Sequence, residues 1–191
     1  MKLLIIKTLY IPNKYYVKPN LKSIQSLDRL DKTDIYISGY VKVQVNIKTK
    51  HNIIHLSKLD TNYGKAFILN QSSIFIKNLQ YDYILYLDHD IILVNNLLKR
   101  ICLPDRFGLI APNHLSDNRH RLYSKVLNML HITDKIASGC FIIRFKLFNF
   151  NLPEKVYYDD DSLIMKYINA NNYLTGILLN VYVIHPFNYK I

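Results

Sequence analysis

One stretch limits what this chain can fold into more than any other: Tyr83-Ile84-Leu85-Tyr86-Leu87-Asp88-His89-Asp90. Residues suited to a buried strand run straight into two aspartates one residue apart. In an extended segment, positions i and i+2 share a side. Asp88 and Asp90 are therefore expected to present two carboxylates to one point at a strand end. His89, between them, is expected to point the other way. Two hard oxygen ligands at that spacing suit Mg²⁺ or Mn²⁺, above all when a substrate diphosphate completes the shell. A strand closed by an acidic turn would give the same letters, so the rest of the chain has to discriminate.

The surrounding pattern is that of an α/β domain. Leu3 to Leu9 predicts a first strand. Leu21, Ile24, Leu27 and Leu30 recur every three residues, the stripe of a short helix. Asp34 to Ser38 predicts a second strand closed by Gly39. The alternation Val41, Val43, Val45, Ile47 predicts another with one exposed face, and Ile53 to Leu56 a short one. Asn62 to Leu79 predicts a helix, its apolar positions Ala66, Phe67, Ile74 and Phe75 sitting about seven apart. After the aspartates come an expected helix from Asn95 to Ile101 and a strand from Phe107 to Ala111 stopped by Pro112. A helix follows from Arg119 to Leu130, then an apolar strand within Ile136 to Phe145. Asp159 to Ala170 predicts a helix burying Leu163, Ile164, Tyr167 and Ile168, and Thr175 to Ile184 a last strand. Strands alternating with helices imply one α/β domain over residues 1–191, with a mainly parallel mixed sheet flanked by helices. In such sheets ligands bind beyond the carboxyl ends of the strands. Thr8, Asp88, Asp90 and His185 all fall at strand ends.

Composition narrows the partners. Lys and Arg total 25 against 14 Asp and Glu, a formal charge of +11. Such a surplus attracts polyanions. The basic residues are scattered, however, and no run of them makes a nucleic-acid arm, so no specific nucleic-acid partner is expected. The chain is also rich in Ile, Lys, Asn and Tyr and has no Trp, a bias that raises the charge without a binding role. Cys102 and Cys140 are isolated in apolar surroundings, which fits buried free thiols better than zinc or a disulfide framework. The first apolar run is too short for a signal peptide, and none approaches a membrane span. A cytoplasmic location is the expectation. Nothing here bears on oligomeric state.

Four motifs in order carry a resemblance. They are Asn62-x-Gly64-Lys65-Ala66 with Asn70; a strand ending Asp88-His89-Asp90; Ser138-Gly139-Cys140-Phe141-Ile142-Ile143-Arg144; and Asp159-Asp160-Asp161-Ser162-Leu163. Together they resemble GT-A-fold glycosyltransferases, most closely the inverting family 2 type, over nearly the whole chain. The resemblance implies sugar transfer from a nucleotide-diphosphate donor to a hydroxyl of a glycan or other acceptor, assisted by Mn²⁺ or Mg²⁺. Asp90 is then the direct metal ligand of the Asp-x-Asp motif, with Asp88 on metal or donor. His185 is a further implied ligand; the alternative is a histidine packed by Pro186 and Phe187. Thr8, Tyr10, Lys65 and Asn70 are expected on the donor, and Ser138 and Gly139 beside the acceptor. The family's acid-Asp-x-x-Leu pattern, aligned on Leu163, puts the catalytic base at Asp160, with Asp161 the alternative. Acidic residues that merely cap a helix would look the same. Two departures matter. Leu69 stands where many relatives carry Arg, and Ser38-Gly39 where many carry an acidic pair that reads the nucleotide base.

Two rivals remain. A nucleotidyltransferase would share the sheet, carboxylates and Mg²⁺, but it normally carries a glycine-rich loop after the first strand, and Thr8 to Asn13 has no glycine. A basic nucleic-acid-binding protein would use the charge, yet gives no reason for aspartates at strand ends.

Overall fold

The computed structural model describes residues 2–94, 103–115, 130–133, 136, 139–153 and 160–184. The helices expected over 95–101 and 119–129, and the residues Cys102, Ser138, Asp159 and His185, lie outside these.

Among the described residues, nine strands form one sheet. They are β1 (Leu3–Ile11), β2 (Asp34–Val41), β3 (Asn52–Leu59), β4 (Tyr83–Leu87), β5 (Ile92–Leu93), β6 (Phe107–Leu115), β7 (Leu130–Ile132), β8 (Cys140–Arg144) and β9 (Leu174–Ile184). The order is β3-β2-β1-β4-β8-β6-β9-β5, with β7 also on β9. β1 pairs in parallel with both β2 and β4, β2 with β3, and β6 with β9. β8 runs antiparallel between β4 and β6, and β5 and β7 antiparallel to β9. The result is the mixed α/β sheet flanked by helices that the alternation predicts.

Two apolar layers cover the sheet. Leu3, Ile5 and Leu9 face helix α1 (Val17–Ser26) and the 3-10 turn Leu27–Arg29 that follows it; Ile24, Leu27 and Leu30 of the predicted stripe are buried there, although the α-helix itself ends at Ser26. Leu4 and Ile6 face helices α2 (Gly64–Ile76) and α3 (Asp160–Ala170), with Ala66, Leu69, Ile164 and Ile168. β4 lies at the centre, and Ile84, Leu85, Tyr86 and Leu87 are buried on both faces. That is why its sequence is a continuous apolar run rather than an alternating one.

The structure corrects several sequence expectations. Val41 closes β2, and residues 42–51 form no strand. They are the crossover from β2 to its parallel neighbour β3. Val45 is buried, and Val41 and Ile47 pack on the α1 layer, so their alternation covers the sheet without pairing. β2 does not end at Gly39. It passes through it, because a side chain there would stand 2.0 Å from the Leu9 carbonyl oxygen. β6 runs on through Pro112 to Leu115, the missing N–H being absorbed by a register shift between Pro112 and Asn113. Leu130 is not a helix end but the first residue of β7. In α2 the inward face is Ala66, Leu69, Ser73 and Ile76, while Ile74 is 69% exposed. Ser72 and Ser73 can be buried because their hydroxyls donate to Leu69 O. Hydrophobicity alone therefore does not pick out the inward face.

Candidate active site

β1 is the strand from which the chain departs in both directions, to β2 on one side and β4 on the other. A crevice opens at the carboxyl ends of such a pair. Asp88 follows directly on β4, beside Lys7 and Thr8 of β1, since Lys7 pairs with Leu87.

The aspartates sit on a turn rather than on the strand. β4 stops at Leu87; Asp88 N donates to Gly139 O at 2.7 Å, and Ile91 N closes back on Asp88 O at 3.3 Å. The i, i+2 rule therefore lapses at the residue where it was to be applied. His89 does not point away: its Nε2 lies 3.9 Å from Asp90 Oδ2, and its ring is 5.4 Å from that of Tyr10.

Two clusters result. On the α2 side, Asp88 Oδ1 accepts from the Tyr86 hydroxyl at 2.6 Å, and Asp88 Oδ2 lies 3.7 Å from Lys65 Nζ. Lys65 stands over the Tyr86 ring and is 4.0 Å from Asp161 Oδ1. Asp161 can reach it because it sits one turn before Ile164 and Met165, on their inward face. Asp160 is the first residue of α3. Lys65 is delivered by the turn at Gly64, whose φ of +81° lies in the left-handed region and whose N–H donates to Asn62 Oδ1. On the α1 side lie Asp90, His89 and Lys7, and Asp90 is only 5% exposed.

Lys7 is the residue sequence reasoning missed. It is fully buried among Leu3, Ile5 and Leu9, and its ammonium donates to Asp88 O. Burial pulls its pKa down to about 7 even though Asp90 and Asp88 oppose the shift. The signal was available: one lysine interrupts the apolar run Leu3 to Leu9. Behind it, burial, reinforced by the Asp88 charge, pushes the Cys140 thiol far up, so it is an inert core thiol.

A second missed feature is a polar stripe on α1. Asn20 clasps the backbone of Tyr10 at 3.1 and 2.9 Å. Ser23 donates to Ile91 O, Ser26 accepts from Leu93 N at 3.0 Å, and Arg29 donates to Leu93 O at 2.5 Å. The three-residue spacing runs parallel to the apolar stripe and ties both loops of the crevice to one helix.

The remaining expected residues are distributed as follows. Thr8 is buried within β1 rather than at its end, because the strand runs on to Ile11 in register with β2. Tyr10 packs edge-on to Tyr16 at 5.3 Å and against Tyr40 at 5.8 Å, forming an aromatic wall beside His89. Gly139 meets Asp88 through its backbone. Asn70 is engaged elsewhere, its amide exchanging two 2.8 Å hydrogen bonds with the Leu152 backbone.

The donor set fits a hard divalent cation. Asp88 and Asp90 supply carboxylate oxygens, the ligand type Mg²⁺ and Mn²⁺ prefer. Among the described residues no three His, Cys, Asp or Glu side chains converge. A groove of about 890 Å³ between α1 and β5 is lined by Lys18, Lys22, Arg29 and Leu93 and includes neither aspartate. The chemistry of the aspartate turn, not cavity size, marks the site.

No family model matches the chain, and no curated protein matches it by sequence. Solved structures do match. GalNAc-T7 with UDP, GalNAc and Mn²⁺ superposes over 99% of this chain with a TM-score of 0.71 at 11% identity. A mannosyltransferase, PcManGT from Pyrobaculum calidifontis, in complex with GDP-Man and Mn²⁺, covers 99% with a TM-score of 0.67 at 11% identity. S. aureus TarS covers 97% with a TM-score of 0.65 at 17% identity. The chain spans 44%, 58% and 37% of those three chains. Among the described residues no helix is long and apolar enough to cross a membrane. At these identities the likeness speaks for architecture: this chain has the GT-A glycosyltransferase fold.

Proposed function

We propose that this protein transfers a sugar from a nucleoside-diphosphate donor to an acceptor hydroxyl, with inversion and with Mn²⁺ or Mg²⁺ bound by Asp88 and Asp90. The observation that carries the reading is the position of the Asp88–Asp90 turn. It sits at the carboxyl end of β4, in the crevice with β1, with Lys65 between Asp88 and Asp161. That crevice belongs to a fold whose solved examples include complexes with UDP or GDP-Man and Mn²⁺.

The residues divide the work. The acceptor oxygen attacks the anomeric carbon, the bond from that carbon to the diphosphate oxygen breaks, and the diphosphate leaves with the electron pair. A bound cation stabilises the charge that develops on the leaving group. Lys65 adds a second positive charge on the α2 side. Tyr10, with Tyr16 and Tyr40, offers an aromatic wall for the nucleobase. The acceptor's proton passes to a carboxylate at the start of α3. The contact with Lys65 favours Asp161; the register set by Leu163 favours Asp160. We assign the base to Asp161, whose Oδ1 lies 4.0 Å from Lys65 Nζ.

The test is a panel of nucleotide sugars screened with Mn²⁺ or Mg²⁺ for thermal stabilisation and donor hydrolysis. One donor should raise the unfolding temperature by mass action and be cleaved slowly. Absence of stabilisation by every donor, with either metal, sinks the reading.

A further inference from the structure

We propose that Lys7 is a positioning residue: it holds the Asp88–Ile91 turn in the shape that receives a divalent cation. This rests on the reading of Asp88 and Asp90 given above and adds to it a residue that touches neither metal nor substrate. By its place on β1 Lys7 belongs to the core. It lies on the α1 face with Leu3, Ile5 and Leu9, between Ile37 and Leu87 on the neighbouring strands, and is fully buried. An apolar residue there would bury without any solvation cost, whereas an ammonium must find oxygen. The oxygen it finds is the backbone carbonyl of Asp88.

Asp88 O is also the acceptor for Ile91 N, the bond that closes the turn. Lys7 thus anchors the turn at its closing carbonyl, while the Ser23 hydroxyl anchors it again at Ile91 O. Both anchors come from the α1 side. The Asp88 side chain is left on the opposite face, toward Tyr86 and Lys65. Lys7 therefore holds the backbone of the turn and leaves the Asp88 carboxylate oxygens to other partners.

Charge alone predicts the reverse of this proposal. A cation buried beside a cation site repels the incoming metal, so its removal would tighten binding. An anchor predicts weakening, because groups that orient metal ligands are commonly worth 10–100-fold in affinity. The two accounts differ in sign.

The experiment titrates Mn²⁺ into wild type and Lys7→Met, followed by Mn²⁺ paramagnetic resonance, with and without UDP. Thermal unfolding in chelator serves as the control for folding. The expected result is cooperative unfolding in both proteins and Mn²⁺ affinity roughly 10–100-fold weaker in the variant. Unchanged or tighter Mn²⁺ binding by Lys7→Met overturns the proposal. Should Lys7→Met fail to fold, Lys7→Gln is measured instead, on the same two outcomes, since its shorter, uncharged side chain cannot reproduce the anchor. Wild type separates the two levels of the argument. If it takes up no Mn²⁺ with UDP, the metal role of the aspartates fails and this inference with it. If wild type binds and the variant binds equally, only the role of Lys7 fails.

Discussion

The aspartate turn has a wet side and a dry side, and each holds one lysine. On the α2 side, Lys65, Asp88 and Asp161 keep side-chain exposures of 17%, 23% and 38%. On the α1 side, Asp90 is 5% exposed and Lys7 not at all. Lys65 pairs with carboxylates and Lys7 donates to a backbone carbonyl, and the consequences differ. A partly exposed ion pair gains little free energy and is easily exchanged for a ligand's charges. A buried ammonium cannot be exchanged, because leaving its acceptor would strand it in an apolar layer. The wet side therefore holds groups that can change partners during a reaction, and the dry side holds groups that cannot.

The largest effect tests whether the two sides meet in one metal site. Asp90→Ala should stay folded and lose donor turnover by roughly a thousandfold or more, the several kcal/mol that a metal lends to a leaving group. Excess chelator should do the same to wild type. Full turnover by Asp90→Ala in the presence of Mn²⁺ would show that the buried aspartate has a structural role only.

Next in size is the base. Asp161→Asn should retain donor binding and lose roughly 10²–10⁴-fold in transfer to acceptor, the usual cost of removing a general base. Asp160→Asn should lose little. Adjacent helical residues diverge by about 100°, so the two cannot both aim at one point. If Asp160→Asn is the inactive variant, the Leu163 register is the better guide and the Lys65 contact is incidental. If both transfer normally, the acidic start of α3 is a helix cap and the inverting mechanism fails.

Lys65→Ala probes the wet side alone. Its exposed pairs predict a stability change of about 0–1 kcal/mol. Loss of a charged contact to a donor phosphate predicts a KM for donor about tenfold higher. A large fall in unfolding temperature with unchanged KM would make Lys65 a dry-side residue in function, and the contrast between the two lysines would collapse.

The same contrast explains what could be read in the sequence. β4, the α1 stripe and the inward face of α3 were legible because each is a local pattern of apolar residues. Asp88 and Asp90 stand out in the sequence for a reason that applies only to strands; the backbone turns at Asp88, whose N–H is taken by Gly139, and the Asp88 side chain faces Tyr86 and Lys65. The crossover at 42–51 imitates a strand because covering a sheet and pairing with it both favour alternating Val and Ile. The overlooked Lys7, Ser23 and Ser26 share a cause. Each is a polar residue whose burial is licensed by a partner far away in sequence: Ile91 is 68 residues beyond Ser23 and Asp88 81 beyond Lys7. No window along the chain contains both ends.

The smallest expected effect isolates one such distant bond. Ser26 donates to Ser23 O at 2.6 Å and accepts from Leu93 N at 3.0 Å, so its hydroxyl links α1 to the strand that follows the aspartate turn. Ser26→Ala removes one oxygen and leaves a buried N–H on Leu93, a residue with no exposure. An orphaned buried donor costs about 1–3 kcal/mol, more than the hydrogen bond itself contributes net. Alanine also has the better helix propensity, which returns a few tenths of a kcal/mol at this position. The expected sum is a loss of about 1–2 kcal/mol in urea unfolding, with an unchanged m-value because the surface exposed on unfolding is the same. Turnover should fall only severalfold, since Ser26 acts one strand removed from Asp90. Lys22→Ala, on the exposed side of the same helix, should change neither quantity. A Ser26→Ala protein as stable as wild type would mean that the polar stripe of α1 fills space without fastening the turn, and the dry side would then owe its rigidity to apolar packing alone.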